Sequence, residues 1–373
     1  MSELISGVAA LLWLVTALLP WQSWRCRETL DVDNNINVEA FDLSDISVII
    51  PARNEAEVIA ATLAGLKQQG QGLRVILVDD ESDDGTAKVA EKVGLPGLQI
   101  ISSTALPAAW TGKLWAQEQG LQAVTTPLTL LLDADICLQP GILAQLKIKH
   151  DTEGLHFVSL MAMLQVTSVW EKLLMPAFIY FFKMLYPFAL ANHPQRHVAA
   201  AAGGCILVDT EALHAIGGMA AIKNAVIDDC TLAKRVKQAG YKTWVGLTHA
   251  VISRRAYTSL AEIWDMVART AYSQLFYSKF LLLVCTGMML LMYCLPWVGL
   301  ICFVGNAWLF SLFAYSVMSA LYLPTLNFYA LNKMWALFMP VIAGLYLLMT
   351  WTSAVRYWRG ERSRWKGRIY QKG

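Results

Sequence analysis

Apolar residues in this chain form long runs at both ends and short bursts in between. Leu4 to Trp21 carries no charge and has the length of a helix that crosses a bilayer. It lacks the basic start and the small-x-small cleavage site of a signal peptide, and Arg25 and Arg27 come directly after it. The positive-inside rule then places residue 22 onward in the cytoplasm. Residues 1–24 are expected as an anchor. The acidic, Asn-rich stretch Thr29 to Ser44 marks 25–45 as a linker.

From Ile46 the bursts alternate with helical spacing. Ser47-Val-Ile-Ile-Pro51 predicts a buried strand and Glu55 to Gln69 a helix stopped at Gly70. Leu73-Arg-Val-Ile-Leu-Val78 predicts a second strand, and Asp84 can cap the helix after it. Leu98 to Ser102 and Leu128-Thr-Leu-Leu-Leu132 predict two more strands, with a helix over Gly112 to Val124 between them. Strands alternating with helices predict a parallel, doubly wound α/β sheet.

Val169 to Leu190 is apolar nearly all round, interrupted by Lys172, Pro176 and Lys183. A crossing here would put its flanks on opposite sides of a membrane. We therefore expect 168–191 as a helix lying in the bilayer interface, with a buried core helix as the alternative. Phe280 to Leu323 has length for about two spans, broken near Pro296 or Asn306, and Met334 to Trp351 for another. These make 276–355 a membrane region. Arg356, Arg359, Arg362, Arg364, Lys366, Arg368 and Lys372 make 356–373 a basic tail, which the charge rule holds in the cytoplasm. Three crossings after a cytoplasmic domain would leave that tail outside. Either one apolar segment does not cross, or the tail breaks the rule.

Composition agrees with a membrane protein. The chain is 56% hydrophobic and 16% charged, where soluble domains hold about 25% charged residues. Mean hydropathy is +0.44. A net charge of +2 lacks the basic footprint of a nucleic-acid binder. Seven cysteines, none in a C-x-x-C pair, read as reduced thiols rather than a zinc site.

The strand Leu128 to Leu132 runs into Asp133-Ala-Asp135. Acids at the carboxyl edge of such a sheet lie where open α/β folds bind ligands. Two hard oxygen donors, with substrate phosphates completing the shell, suit Mg²⁺ or Mn²⁺. Asp79 and Asp80, in Val78-Asp-Asp-Glu-Ser-Asp-Asp-Gly-Thr86, can accept hydrogen bonds from a base or ribose, or form a polar loop that caps the next helix. Arg53 offers a planar fork where a nucleotide would lie. Glu55 either acts on that nucleotide or favours a helix start. Lys113, in Trp110-Thr-Gly-Lys113, suits a diphosphate anchor at a helix start, without P-loop spacing. Gly203 and Gly204 permit close approach of backbone to a ligand, or make a tight turn. Asp228 and Asp229 open an amphipathic helix ending at Gly240. They are either a cap and a first-turn acid, or Asp229 is a general base for an attacking hydroxyl. Arg269 either meets phosphate or snorkels at the interface.

Taken in order, Ile50-Pro-Ala-Arg-Asn-Glu55, Val78 to Thr86, Asp133-Ala-Asp135, Gly203-Gly204 and Asp228-Asp229 resemble the family 2 glycosyltransferases of the GT-A fold, from about Ser47 to Tyr272. Trp110-Thr-Gly-Lys113, Ile227-Asp-Asp-Cys230 and Met266-Val-Ala-Arg-Thr-Ala271 are similar to hopene-associated glycosyltransferases, and ceramide-type glucosyltransferases share the plan. The resemblance implies a Rossmann-like GT-A domain over 46–275 with transmembrane helices at both ends. It places the protein in a bacterial inner membrane with the domain cytoplasmic. It implies a nucleotide-sugar, UDP-linked, on Pro51, Arg53, Glu55, Asp79, Asp80, Lys113 and Asp133. Mg²⁺ or Mn²⁺ would lie on Asp135 with Asp133. Asp229 would be the catalytic base, with Gly203, Gly204, Asp228 and Arg269 on the acceptor side. The implied reaction is one inverting displacement onto a lipid, a hopanoid in the narrower resemblance. Two departures stand out. The family's Glu-Asp pair is Asp228-Asp229 here, and the Gln-x-x-Arg-Trp motif is absent, which argues against a processive polysaccharide synthase. A ceramide-like or polyprenyl-phosphate glycosyltransferase, or a nucleotidyltransferase with the same metal site, are the alternatives.

Overall fold

The computed structural model describes residues 1–33, 35–365 and 368–371, with side chains described as far as Glu361. Lys366 and Lys372 of the basic tail lie outside the described residues. Contacts divide the chain into two compact units. One comprises Met1–Arg27, Val166–Pro187 and Tyr257–Gly373; the other comprises Glu28–Gln165 and Phe188–Ala256.

The second unit is built on eight strands: β1 (Ile46–Ala52), β2 (Arg74–Asp79), β3 (Leu98–Ser102), β4 (Leu128–Leu132), β5 (Ile136–Leu138), β6 (Phe157–Met163), β7 (Cys205–Asp209) and β8 (Thr243–Ser253). Their order is β3-β2-β1-β4-β7-β6-β8-β5. From β3 to β4 every pairing is parallel, as the alternation of strand and helix predicts. The other half departs from the expected parallel sheet. β7 runs antiparallel to both β4 and β6, and β5 antiparallel to β8. The reason is topological. β5 follows β4 with no crossover helix, and β7 returns after a long excursion, so neither is bound to the parallel βαβ arrangement.

Alternate residues of the central strands feed two cores, one on each face. Val48, Ile50, Leu130 and Leu132 pack with Ile59, Leu63 and Leu66 of the helix Ile59–Lys67 and with Leu143 and Leu146 of the helix Ile142–Glu153. Ile49, Leu131, Ile206 and Val208 pack with Leu114 and Leu121 of the helix Gly112–Gln122 and with Leu232 and Val236 of the helix Asp228–Gln238. Both faces are covered, which is why β1 and β4 are buried along their whole length. Pro51 is tolerated near the end of β1 because the β4 ladder stops at Ile49↔Leu131. The stretch expected as a linker docks on this unit. Leu43 is fully buried, Leu30 N–H donates to Leu247 O, and Asp31 accepts from Thr248 and His249.

The first unit holds the apolar helices. Lys279–Cys302, Gly305–Phe328 and Lys333–Trp358 are each long and apolar enough to cross a membrane. The break between the first two falls at Phe303 and Val304, beside Asn306 and away from Pro296. Pro296 stays inside its rod just after the π turn Leu290–Cys294, and Met292 O, the carbonyl its missing N–H would have met, accepts from Trp13 Nε1 at 2.7 Å. The N-terminal helix Ser2–Leu18 ends before Trp21. Its 17 residues span about 26 Å, short of a hydrocarbon core of ~30 Å.

The helix Val169–Leu185 has a buried side that includes Leu174, Ile179, Tyr180 and Lys183, and leaves Val169, Trp170 and Leu185 exposed. Lys183 donates to Arg25 O and Cys26 Sγ, which explains a lysine on an apolar face. Within the same unit, the start of the first rod and the end of the last lie side by side. Lys279 Nζ sits 5.6 Å from the centre of the Trp358 ring, and Trp351 Nε1 donates to Thr286 Oγ1 at 3.0 Å. Tyr277 stacks on Tyr357 at 4.2 Å. Past Trp358 two strands, β9 (Glu361–Trp365) and β10 (Arg368–Gln371), pair antiparallel.

Candidate active site

The parallel strands bring their carboxyl ends to one edge, and each end carries chemistry. β1 delivers Arg53 and Glu55, β2 delivers Asp79 and Asp80, and β4 delivers Asp133 and Asp135. Because β7 is antiparallel, its beginning reaches that same edge. Cys205 pairs with Leu132, and Asp133 N–H donates to Gly204 O at 3.1 Å. The reversed strand that breaks the parallel pattern is what puts the glycine pair beside the acids.

The loops after β1 and β2 are laced together. Glu55 N–H donates to Thr86 Oγ1 at 2.8 Å, Ala56 N–H to Asp84 Oδ2 at 2.9 Å, and Asp83 N–H to Asn54 Oδ1 at 3.0 Å. The expected helix begins only at Ile59, with Glu55 to Val58 a turn in which Ile59 N–H donates to Glu55 O at 2.9 Å. Asp84 also accepts from Thr86 N–H at the start of the helix Thr86–Lys92, although Gly85 is the capping residue. Arg53 Nη1 donates to Asp80 O at 2.5 Å and lies 3.8 Å from Asp80 Oδ2. Arg53 Nε and Asp79 Oδ1 are buried here with no hydrogen-bond partner among the described residues. Unsatisfied atoms of this kind are costly unless a ligand or water completes them.

Next along the edge, Lys113 Nζ lies 2.8 Å from Asp133 Oδ1 and 3.4 Å from Asp228 Oδ2. Burial disfavours its charge, but Asp133 and Asp228 outweigh burial and hold its pKa above the ordinary lysine value. Asp133 is also pushed up. Burial raises its pKa, Lys113 opposes, and Asp135 raises it further. Asp229, at the second position of its helix, accepts from Gly203 N–H at 2.9 Å and from Cys230 N–H at 2.7 Å. Burial first, and then Asp228, lift its carboxyl to about 7 against those two donors and Lys113. A Cβ at Gly203 would lie 3.2 Å from Lys113 Nζ and 3.5 Å from Asp229 Oδ2, so glycine lets the backbone sit against both. Lys113, Gln117, Leu131, Gly203, Asp228 and Asp229 line one cleft.

Asp135 meets a residue that the sequence reading did not single out. Arg255 Nε lies 3.1 Å from Asp135 Oδ2, and its Nη2 lies 3.6 Å from Glu55 Oε1. The Arg254-Arg255 pair closing an apolar strand was the available signal. Of the expected site residues, Lys113, Asp133, Gly203, Asp228 and Asp229 are in one cluster. Pro51, Arg53, Glu55, Asp79, Asp80, Asp135 and Gly204 stand on the same sheet edge. Arg269 belongs to the other unit, where it caps the helix Leu260–Ala268. Among the described residues, no group of three or more His, Cys, Asp or Glu side chains converges as a metal cage. Asp133 and Asp135 are a two-carboxylate donor set, which suits an ion completed by phosphates and water.

Comparison with known proteins bears on the family and the fold. The family model described as "Glycosyltransferase like family 2" matches residues 44–273. The 4,4'-diaponeurosporenoate glycosyltransferase of Staphylococcus haemolyticus (strain JCSC1435) is 34% identical over 91 residues, which is 24% of this chain and 24% of that protein. Its counterpart in Staphylococcus aureus (strain USA300) is 34% identical over 96 residues, 26% of this chain and 25% of that one. These matches span about a quarter of each relative. Among solved structures, a mannosyltransferase from Pyrobaculum calidifontis in complex with GDP-Man and Mn²⁺ superposes with a TM-score of 0.54 at 19% identity, covering 97% of this chain and 100% of its own. That likeness is one of fold. With the family match extending over most of the strand-bearing residues, the chain belongs to the family 2 glycosyltransferases, on a mixed α/β GT-A fold.

Proposed function

We propose that this protein moves one sugar from a nucleotide-sugar to a lipid acceptor at a membrane surface, by a single inverting displacement. The observation that carries the reading is the meeting of Lys113, Asp133, Asp228 and Asp229 against Gly203, at the sheet edge that also holds Arg53 and Asp79. Asp229 is the base. Its carboxylate takes the proton of the acceptor hydroxyl as that oxygen attacks the anomeric carbon. A pKa lifted to about 7 keeps it basic enough to accept a proton near neutrality. Asp79 and Asp80 hold the base of the nucleotide, Arg53 and Glu55 lie beside it, and Lys113 neutralises the diphosphate. Asp228, Gly203 and Gly204 border the acceptor.

Asp135 and Asp133 are the residues that would hold Mg²⁺ or Mn²⁺, and a surplus of acids over cations in this corner supports that assignment. When bound, such an ion offsets charge developing on the leaving diphosphate. The Mn²⁺ and GDP-Man of the mannosyltransferase with the same fold support it as well.

The lipid acceptor rests on the apolar helices and on the similarity to 4,4'-diaponeurosporenoate glycosyltransferases. A hopanoid stays the narrower suggestion of the resemblance. The unit with the apolar helices sits in the inner membrane, with the N-terminal helix as anchor, the helix Val169–Leu185 in the interface and the catalytic residues cytoplasmic. Arg269, close before the rods, is the residue that would meet a phosphate on the acceptor side. Mass spectrometry of lipids from cells with and without the gene tests the reading. A glycolipid that vanishes on deletion, returns with the wild-type gene and fails to return with Asp229→Asn is expected. An unchanged lipid profile would contradict it.

A further inference from the structure

Arg255 follows β8, whose pairing with β5 sets Ser253 opposite Ile136. Next to it, Arg254 N–H donates to Asp135 O at 2.7 Å, so the backbone at this point is pinned to the acid it serves. The side chain itself is 36% exposed and spans two loops, with Nε on Asp135 and Nη2 towards Glu55. A planar fork on a flexible stem, anchored at its root, can reach a phosphate without any backbone movement.

We propose that Arg255 is a positioning residue with two stations. Without donor it neutralises Asp135. When a divalent ion takes that carboxylate, the guanidinium turns to the diphosphate of the donor. The inference rests on the reading of Asp135 as a metal ligand. Two cations cannot share one carboxylate without repelling each other, so ion and arginine compete for Asp135. Lys113 has the matching relation to Asp133. Each acid of the Asp133-Ala-Asp135 pair thus carries its own stand-in cation. A purely structural arginine would support both ligands or neither, whereas a two-station arginine opposes one and assists the other.

The test uses the full-length protein in detergent, with Mn²⁺ alone followed by electron paramagnetic resonance, and UDP or GDP at saturating Mn²⁺ followed by calorimetry. Asp135→Asn comes first. Loss of Mn²⁺ binding supports the metal reading, and retained binding overturns that reading and this proposal together. Arg255→Gln then isolates the arginine. We expect Mn²⁺ alone to bind roughly two- to fivefold more tightly, the scale of a partly exposed ion pair removed. We expect the nucleoside diphosphate to bind about tenfold more weakly, the scale of a lost charge-assisted contact. Arg255→Lys should keep part of the second effect. If both ligands weaken together in Arg255→Gln, or neither changes, the two-station role is wrong.

Discussion

Among single residues, Asp229 carries the heaviest assignment. Two backbone donors fix its carboxylate while burial and Asp228 raise its proton affinity. Asp229→Asn keeps the size and removes the basicity. Transfer should fall by about 10²–10⁴-fold, the range for a lost general base. Donor binding by calorimetry should persist. The active form is the ionised one, so kcat/KM of the wild type should climb as pH rises through about 7. A flat profile from pH 5 to 9 under metal-saturated conditions would contradict the base assignment. Gly203→Ala is a second test at this scale. Its methyl group would press on Lys113 Nζ, so activity should drop while the thermal midpoint barely moves. The acids and the lysine were legible in the sequence because each stands at a strand end or a helix start, where local pattern shows direction. Arg255 was not. It reaches Asp135 only through the β5–β8 pairing between residues far apart in sequence, and no local pattern encodes that.

Elements behave in the same way. The strands β1 to β4 were readable because each is a short apolar burst bounded by turns, and β1 and β4 are buried on both faces. The antiparallel β7 was not readable. Its four apolar residues, Cys205 to Val208, specify a strand but not a direction. The helix Val169–Leu185 begins with a capping box in which Glu171, itself buried, accepts from Thr167 N–H, Thr167 Oγ1, Ser168 N–H and Tyr257 N–H. Glu171→Ala strands those donors, at a cost of about 2–3 kcal/mol for bonds to a buried charge. A lower thermal midpoint in detergent should follow. An unchanged midpoint would mean that water replaces the carboxylate freely.

At the scale of the whole chain, charge and crossing number conflicted in the sequence. Three rods between a cytoplasmic domain and a basic tail cannot all cross. The structure adds one fact. Lys279, at the start of the first rod, and Trp358, at the end of the last, lie at the same end of their unit. If these rods lie in a membrane, a chain that enters and leaves at one end crosses an even number of times, so we propose that one rod lies without crossing and that the tail follows the charge rule. In intact cells, single cysteines at 279 and 359 in a cysteine-free background should both resist a membrane-impermeant maleimide and both react once the membrane is opened. Labelling of 359 alone from outside would overturn this topology. The central claim is transfer of a sugar to lipid with Asp229 as base, and one measurement addresses it most directly. Purified protein is given Mn²⁺, a lipid extract and nucleotide-sugars labelled in the sugar, beside an Asp229→Asn control. The account predicts label in the organic phase and free nucleoside diphosphate in the water, both lost in the control. Label that stays in water, or an Asp229→Asn protein as active as the wild type, would contradict it.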